Sequence, residues 1–166
     1  MAKALLITRQ DIVRFTSMNG NIDTDLFIQY ISISQDIEIQ QMLGTDLLEK
    51  IQADIVAGTL ANPYLALLND YIKPCLIHFA FARYLPNGAY TVSNKGIYKH
   101  NSENSDTASK EEIDYLEGKA MQTAMNYKQR FVDHICFNQA SFPEYNTNSD
   151  GDVYPDNDIN FTGWVI

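Results

Sequence analysis

The stretch that decides the fold is Pro63-Tyr-Leu-Ala-Leu-Leu-Asn-Asp-Tyr-Ile-Lys-Pro-Cys-Leu-Ile-His-Phe-Ala-Phe-Ala-Arg-Tyr-Leu85. Apolar residues recur at helical spacing in its first half, and after Pro74 they point in nearly all directions. A helix that is apolar all round must be covered on every side, so we interpret the stretch as the central helix of a bundle. Asn62 is a suitable N-cap, Pro74 predicts a kink or a break, and Pro86-Asn87-Gly88 predicts the end of the element.

Composition limits the classes of protein that the chain can belong to. Its 166 residues, 45% of them hydrophobic, predict one domain with a real core. Twelve basic against 21 acidic residues give a net charge of −9, which disfavours binding to nucleic-acid phosphates or anionic membranes. Charges such as Asp70 and Arg83 inside the central stretch argue against a membrane span. Two cysteines predict no disulfide framework and favour a reducing compartment, and the apolar run at the N-terminus is too short for a signal peptide.

Four further helices are predicted around the central one. Two begin at capping-box patterns, Thr8 to Asp11 and Ser109 to Glu112, and the second of these continues to about Phe137. The other two are predicted from Asp23 or Thr24 to Leu43 and from Thr45 to Ala57. The fold class is therefore mainly α, a bundle of four to five helices that fills residues 1–137.

The apolar positions of these helices predict their buried faces. In the segment from Asp23 to Leu43, Ile31-Ser-Ile33-Ser and Ile37-Glu-Ile39 alternate like a strand, but Gly44 and the length of the pattern favour a helix. Its apolar stripe is Leu26, Tyr30, Ile33 and Ile37, with Phe27 and Ile31 beside it. The longest helix has a stripe from Ile113 to Phe131 and is expected to lie antiparallel to the central helix, with small residues such as Gly118 allowing close packing. One core is expected to contain Leu68, Ile72, Leu76, Phe79, Leu116, Ala120, Tyr127 and Phe131.

Two segments are predicted to form elements that are stable only when they pack against another surface. Residues 89–99 read as a projecting β-hairpin with a turn at Asn94-Lys95-Gly96, and an isolated hairpin of this size is barely stable in water. Residues 138–166 form an extended tail with five acids and no base, yet aromatic rings are spread along it. Purely disordered tails are poor in aromatic residues, so these rings are expected to dock on the chain's own core or on a neighbour.

Three groups of residues resemble metal sites, although a structural role is the favoured interpretation of each. Cys75 with His78 and His134 with Cys136 resemble half-sites for zinc, but buried cysteines and ordinary histidines are the favoured interpretation. Residues 146–153 resemble the first half of a calcium loop, although Asn157 stands where a bidentate glutamate is needed, and a polar turn is favoured. We find no nucleophile, P-loop or dinucleotide motif, so neither enzymatic activity nor a cofactor is expected.

Several short motifs together resemble a known family. They are Thr91-Val92-Ser93-Asn94-Lys95-Gly96-Ile97, Ser102-Glu103-Asn104-Ser105, Ala108-Ser109-Lys110-Glu111-Glu112 and Phe142-Pro143-Glu144-Tyr145. In this order they resemble small head–tail connector (adaptor or head-completion) proteins of tailed bacteriophages, especially crAss-like phages. The resemblance covers most of the chain, from the first helices to Tyr145.

The resemblance implies a structural protein of the virion without catalytic residues. Many copies, most often a dodecamer, would form a ring below the portal protein, extend the DNA channel without sequence-specific binding, and dock the next connector or tail protein. The expected contacts with neighbours come from the hairpin and the tail: Tyr90, Val92, Ile97, Tyr98, Phe142, Tyr145, Phe161 and Trp164. The alternative is a small helical binding or regulatory module whose tail loop takes calcium.

Overall fold

The computed structural model describes residues 3–18, 24–88, 90–93, 96–99, 108–147 and 151–155. Within these residues the chain is mainly helical, as predicted. The described residues form five continuous helices: α1 (Arg9–Phe15), α2 (24–43), α3 (Thr45–Ala57), α4 (64–88) and α5 (Lys110–Phe137). Two 3-10 turns, Gln139–Ser141 and Pro143–Asn146, follow α5.

Helix α4 is the centre of the bundle, which confirms the interpretation of the stretch from Pro63 to Leu85 as the central helix. It packs most extensively against α5 and next against α2. Its second half buries residues on several sides, among them Cys75, Leu76 and Phe79. Burial of this kind follows from the all-round apolar pattern, because such a helix is stable in water only when neighbours cover it.

Helix α4 continues through Pro74, so of the expected kink or break, the break is wrong. A π-helical turn at Leu68–Ile72 lies directly before the proline, and the helix then continues to Gly88. The wider turn accommodates a residue that has no N–H and whose ring crowds the preceding turn. The predicted ends also shift: Pro63, rather than Asn62, occupies the cap position, and Pro86 lies inside the last turns of the helix.

The predicted capping signals are confirmed at both sites. At α1 the Thr8 N–H donates to Asp11 Oδ2 at 2.8 Å, and at α5 the Ser109 N–H donates to Glu112 Oε2 at 2.8 Å. Each reciprocal pair satisfies backbone groups that the first helical turn leaves open. Gly44 ends α2 as predicted, so the helical reading of that segment was the correct one.

Helix α2 buries a different face from the one that the sequence predicted. Phe27 and Ile31 are buried, whereas Leu26, Ile33 and Ile37 are 59%, 40% and 44% exposed. The buried positions follow steps of four residues, which drift around an ideal α-helix. The π turn Gln35–Ile39 corrects that drift and keeps the later buried residues of α2 on the bundle side.

The first turns of α5 extend beyond the core, so Leu116 was wrongly assigned to it. Leu116 is 50% exposed and Tyr115 beside it is exposed as well, whereas Ala120, Ala124 and Phe131 are buried as predicted. A Cβ built at Gly118 meets no atom within 4 Å, so no helix packs closely there. The core therefore covers α5 only from Ala120 onward, and helix propensity with the capping box stabilises the turns before it.

The described part of the tail packs on the helical body. Phe142 and Tyr145 are each only 1% exposed. The Tyr64 hydroxyl on α4 donates to Glu144 Oε2 at 2.6 Å, and burial together with this bond raises the pKa of Tyr64 to about 12. Further along, the Thr45 N–H donates to the carbonyl of Val153 at 3.0 Å.

Two short strands follow α4. Strand β1 (Tyr90–Ser93) pairs antiparallel with β2 (Gly96–Lys99), with Tyr90 opposite Lys99 and Val92 opposite Ile97. The expected turn residues Asn94 and Lys95 lie outside the described residues. Strand β1 contacts α4, and no third strand joins this pair within the described part of the chain.

Candidate assembly surfaces

Three exposed apolar residues of α2 lie along one side of the helix. Leu26, Ile33 and Ile37, here called the α2 stripe, are spaced by seven and four residues and so lie on the same side of the helix. All three are substantially exposed. Single exposed leucines are ordinary, but a row of large aliphatic side chains along one helix face is typical of a surface that docks on a partner.

The α2 stripe is held on a rigid support. Arg83 on α4 donates to Glu38 Oε1 on α2 at 2.5 Å, in a partly buried ion pair. The rings of Phe27 and Tyr30 lie 5.1 Å and 5.7 Å from the ring of Tyr84 on α4. These contacts fix the rotation of α2 about its own axis, so the stripe cannot turn inward without breaking them.

The N-terminal segment secures the same helix from another direction. The buried Gln35 side chain accepts a hydrogen bond from the Leu6 N–H at 3.0 Å and donates to the Ala4 carbonyl at 2.9 Å. Lys3 pairs with Asp36 on the adjoining surface. Gln35 therefore fixes the N-terminal segment against α2, because the Leu6 N–H would be unsatisfied without it. The Ala4 carbonyl also accepts a hydrogen bond from Gln52 Nε2 at 3.1 Å.

A second surface lies along α5, between α1 and α4. We call it the aromatic groove and define it by Phe15, Tyr71, His78, Leu116, Tyr127 and Arg130. Its central hollow measures about 780 Å³. The Tyr127 ring stacks on His78 at 5.6 Å, and the Arg130 guanidinium lies over both Tyr127 and Tyr71, at 5.5 Å and 5.9 Å.

The central hollow of the aromatic groove has a small excess of positive charge in an acidic protein. Arg14, Lys73 and Arg130 line it together with Asp11 and Asp70, and Asp11 is engaged in the α1 capping box. None of the three cations forms an ion pair with a residue that the structure describes. Cations without a carboxylate partner keep their capacity to pair with an incoming anion.

Exposed apolar residues flank both ends of the aromatic groove. At one end Phe15, which is 58% exposed, and Leu116 line an adjoining hollow. At the other end Phe137, which is 90% exposed, lies beside Tyr71 and Arg130. The groove thus combines a cationic centre with apolar ends.

Three of the four residues weighed as zinc half-sites are engaged in packing, as the favoured interpretation expected, whereas Cys136 is exposed. Cys75 is fully buried, with its Sγ 3.5 Å from the Ala124 carbonyl, and burial raises the pKa of its thiol. His78 stacks on Tyr127, and burial lowers the pKa of this imidazole. His134 stacks on Tyr71 with ring centroids 4.2 Å apart. Among the described residues, no group of three or more His, Cys, Asp or Glu is placed to hold a metal ion.

The calcium loop remains a prediction. Residues 148–150 and Asn157, which include the central oxygen ligands, lie outside the described residues. Gly151 has φ +68, the left-handed conformation that such a loop needs at this position, and the Val153 N–H donates to Thr45 Oγ1 at 3.2 Å. That last bond fixes the loop against the N-terminus of α3 whether or not it binds a cation.

The residues predicted to contact neighbours differ in where the structure places them. Tyr90 is exposed, whereas Phe142 and Tyr145 are buried in the chain's own core, so contact with a neighbour is wrong for these two rings. Phe161 and Trp164 lie outside the described residues. Val92, Ile97 and Tyr98 lie on the two strands, and their predicted contacts stay a prediction.

The sequence reasoning missed the α2 stripe as a surface because it assigned those residues to the core. A usable signal was present, since Phe27 and Ile31 lie beside the stripe and make the apolar arc of α2 wider than one packed face needs. The aromatic groove was also missed, because its residues come from three separate helices.

Within the described residues, no helix is long and apolar enough to cross a membrane. Comparisons with curated proteins and with solved structures give no match to this chain. Residues 39–155, well over half of the chain, match one protein family. The matched region contains α3, α4, α5 and the described part of the tail, and it ends at Pro155, where the tail packs on the bundle. The chain therefore belongs to the family of unknown function DUF6712.

Proposed function

We propose that this protein is a structural subunit of the head–tail connector of a tailed bacteriophage. Copies form a ring below the portal protein, extend the DNA channel and dock the next connector or tail protein. The observation that supports assembly most strongly is the α2 stripe, an exposed apolar row on a helix that its own bundle holds rigidly. The connector itself is suggested by the short motifs from Thr91 to Tyr145.

The two surfaces favour a ring over a symmetric pair. The α2 stripe and the aromatic groove are built from different helices, since α2 contributes no residue to the groove. A protomer with two different contact surfaces associates head to tail, and such contacts close into a ring when the rotation between copies allows it. A two-fold dimer would instead need one surface that complements itself.

The free energy gained by burying the α2 stripe is too small to hold the ring by itself. Fully burying a leucine or isoleucine contributes about 1.5–3 kcal/mol, so three half-exposed side chains give about 2–4 kcal/mol. Association costs about 4–15 kcal/mol in lost freedom. Further contacts are therefore required, and we assign them to the projecting pair of strands β1 and β2 and to the portal protein as a template.

The charge of the chain suits a channel subunit. Tight binding to DNA depends on neutralising phosphates with Lys and Arg, and a net charge of −9 opposes it. DNA would therefore pass without adhering to the wall. In this role the protein needs no catalytic residue and no cofactor, and its place is in the virion.

Labelling of particles tests the proposed location. An epitope tag inserted after Gly58, at the exposed end of α3, is carried by particles assembled in the host and detected by electron microscopy. We expect label at a single vertex, where the tail joins the head. Label on the whole capsid, or purified infectious particles without the protein, would overturn the proposal.

A further inference from the structure

We propose that the aromatic groove binds residues 156–166 of a neighbouring copy of this chain. The inference rests on the proposed ring and names the contact that links one subunit to the next. The bound segment is Asp156-Asn-Asp158-Ile-Asn-Phe161-Thr-Gly-Trp164-Val-Ile166, which follows directly after the packed residue Pro155.

The chemistry of the segment complements that of the groove. Asp156 and Asp158 come first, and the cationic centre of the groove offers Arg14, Lys73 and Arg130. Carboxylates form their strongest hydrogen bonds with such cations, and arginine can bind a carboxylate through two parallel bonds.

The apolar part of the segment matches the end of the groove. Phe161 and Trp164 each carry a large ring that gains from burial, on the order of 150–250 Å². The hollow between Phe15 and Leu116 offers exposed apolar surface for these rings, beside the cationic centre. The order of acids followed by aromatics therefore matches the order of cations followed by apolar residues.

The lengths agree as well. From Leu116 to Phe137 the groove follows α5 for about 30 Å, at a rise of 1.5 Å per residue. An extended segment of 11 residues reaches at most about 40 Å. One segment can therefore cover the cationic centre and reach an apolar end.

The position of Pro155 favours a neighbouring copy as the donor. Pro155 packs against Gly44, at the turn between α2 and α3, and Thr45 pairs with Val153 at the same place. The groove is lined by α1, α4 and α5 and by residues directly after α1 and α5, with no residue of α2 or α3. Donor and acceptor thus lie on different elements of the protomer, which is the arrangement that a head-to-tail ring requires.

Fluorescence of the intact chain tests the contact, because Trp164 is its single tryptophan. As the protein assembles, alone or on the portal, we expect Trp164 emission to move to shorter wavelength and to resist quenching by acrylamide. The double variant Arg14→Glu, Arg130→Glu should weaken this transition at least about tenfold in protein concentration. The matched control Lys110→Glu, an exposed lysine outside the groove, should leave it unchanged.

Cross-linking identifies which copy supplies the segment. In a Cys136→Ser background, which removes the exposed native thiol, a chain with Leu116→Cys is mixed with a differently tagged chain with Trp164→Cys and treated with a bis-maleimide. We expect a mixed cross-linked dimer. The same donor mixed with Ala53→Cys, an exposed site on α3, should give none.

Three outcomes would overturn the inference. Cross-linking within a chain that carries both cysteines, without mixed dimers, would place the segment on its own groove. Protection of Trp164 that requires the portal and survives the groove variants would assign the segment to the portal. Rings that form while Trp164 stays exposed would refute this contact and leave the proposed function intact, whereas absence of rings under all conditions would refute the function.

Discussion

The ring of Pro155 lies so close to Gly44 that a Cβ built at Gly44 would stand 2.8 Å from Pro155 Cδ. Gly44 ends α2 with φ +75 and ψ 160, a backbone conformation that is almost restricted to glycine. One residue therefore terminates a helix and admits the tail, and the bond from Thr45 to Val153 fixes the tail beside it.

Substitution of Gly44 by alanine should destabilise the protein strongly. The backbone conformation alone costs about 1–3 kcal/mol for a residue with a Cβ, and the clash with Pro155 adds to this. We expect the free energy of unfolding in urea to fall by about 3 kcal/mol or more. Gly58→Ala is the matched control, since Gly58 also has positive φ but no atom within 4 Å, and should cost about 1–2 kcal/mol. Equal losses at the two sites would contradict the packing of Pro155.

Leu76→Ala and Leu116→Ala should differ sharply, although the sequence assigned both residues to one core. Leu76 is fully buried and its truncation should cost about 2–5 kcal/mol, because it leaves a cavity. Leu116 is half exposed and its truncation should stay within about 0.5 kcal/mol. Chemical denaturation of both variants measures the difference, and a large loss at Leu116 would show that the first turns of α5 are packed.

Tyr64→Phe should remove a contribution to stability that is lost at alkaline pH. The pKa of Tyr64 is raised to about 12 in the folded chain, from an ordinary value near 10, by burial and the bond to Glu144. A raised pKa stabilises the fold fully below pH 10, and that contribution falls as pH rises toward 12. We expect the variant to be about 1–2 kcal/mol less stable at pH 7, and the gap to narrow above pH 10. A gap that is constant with pH would show that the hydroxyl is not held as described.

Gln35→Ala should release the N-terminal segment from α2. Without the amide, the Leu6 N–H loses its partner and the Ala4 carbonyl keeps only the bond from Gln52, at a cost of about 1–3 kcal/mol. Trypsin should then cleave faster after Lys3 and Arg9. Gln29→Ala, on the exposed side of the same helix, is the control and should not change the cleavage rate. Equal rates in both variants would mean that Gln35 does not anchor the segment.

The sequence predicted the elements well where the signal is local. Both capping boxes, the stop at Gly44 and the all-round apolar pattern of α4 depend on residues within a few positions of each other. The effect of Pro74 was harder to predict, because a π turn can absorb a proline without breaking the helix. The rest of the fold depends on contacts between residues that are far apart in the sequence.

The buried face of α2 illustrates this dependence on distant contacts. Leu26 and Phe27 are equally apolar, and only the contacts with Tyr84 and the buried Gln35 decide that Phe27 faces the bundle. The aromatic groove escaped prediction for a related reason, since Phe15, Tyr71 and Tyr127 come from three helices and no spacing along the chain unites them. For Phe142 and Tyr145 the sequence left two possibilities open, the chain's own core or a neighbouring molecule. Both rings are buried in the chain's own core.

Assembly through the α2 stripe is the central claim, and charged substitutions on it isolate that claim. Ile33→Asp with Ile37→Asp places two carboxylates on the stripe without changing a buried residue. Gln29→Asp with Gln41→Asp adds the same charge to exposed polar positions of α2 and serves as the control. Circular dichroism should show that both variants keep the helical fold.

The most direct measurement is the mass of the assembled protein by light scattering, alone and with the purified portal. We predict that the wild-type chain and the Gln29→Asp, Gln41→Asp control form rings on the portal, whereas Ile33→Asp, Ile37→Asp remains a folded monomer. Rings of full mass from the stripe variant, or a wild-type chain that stays monomeric in the presence of the portal, would contradict the account.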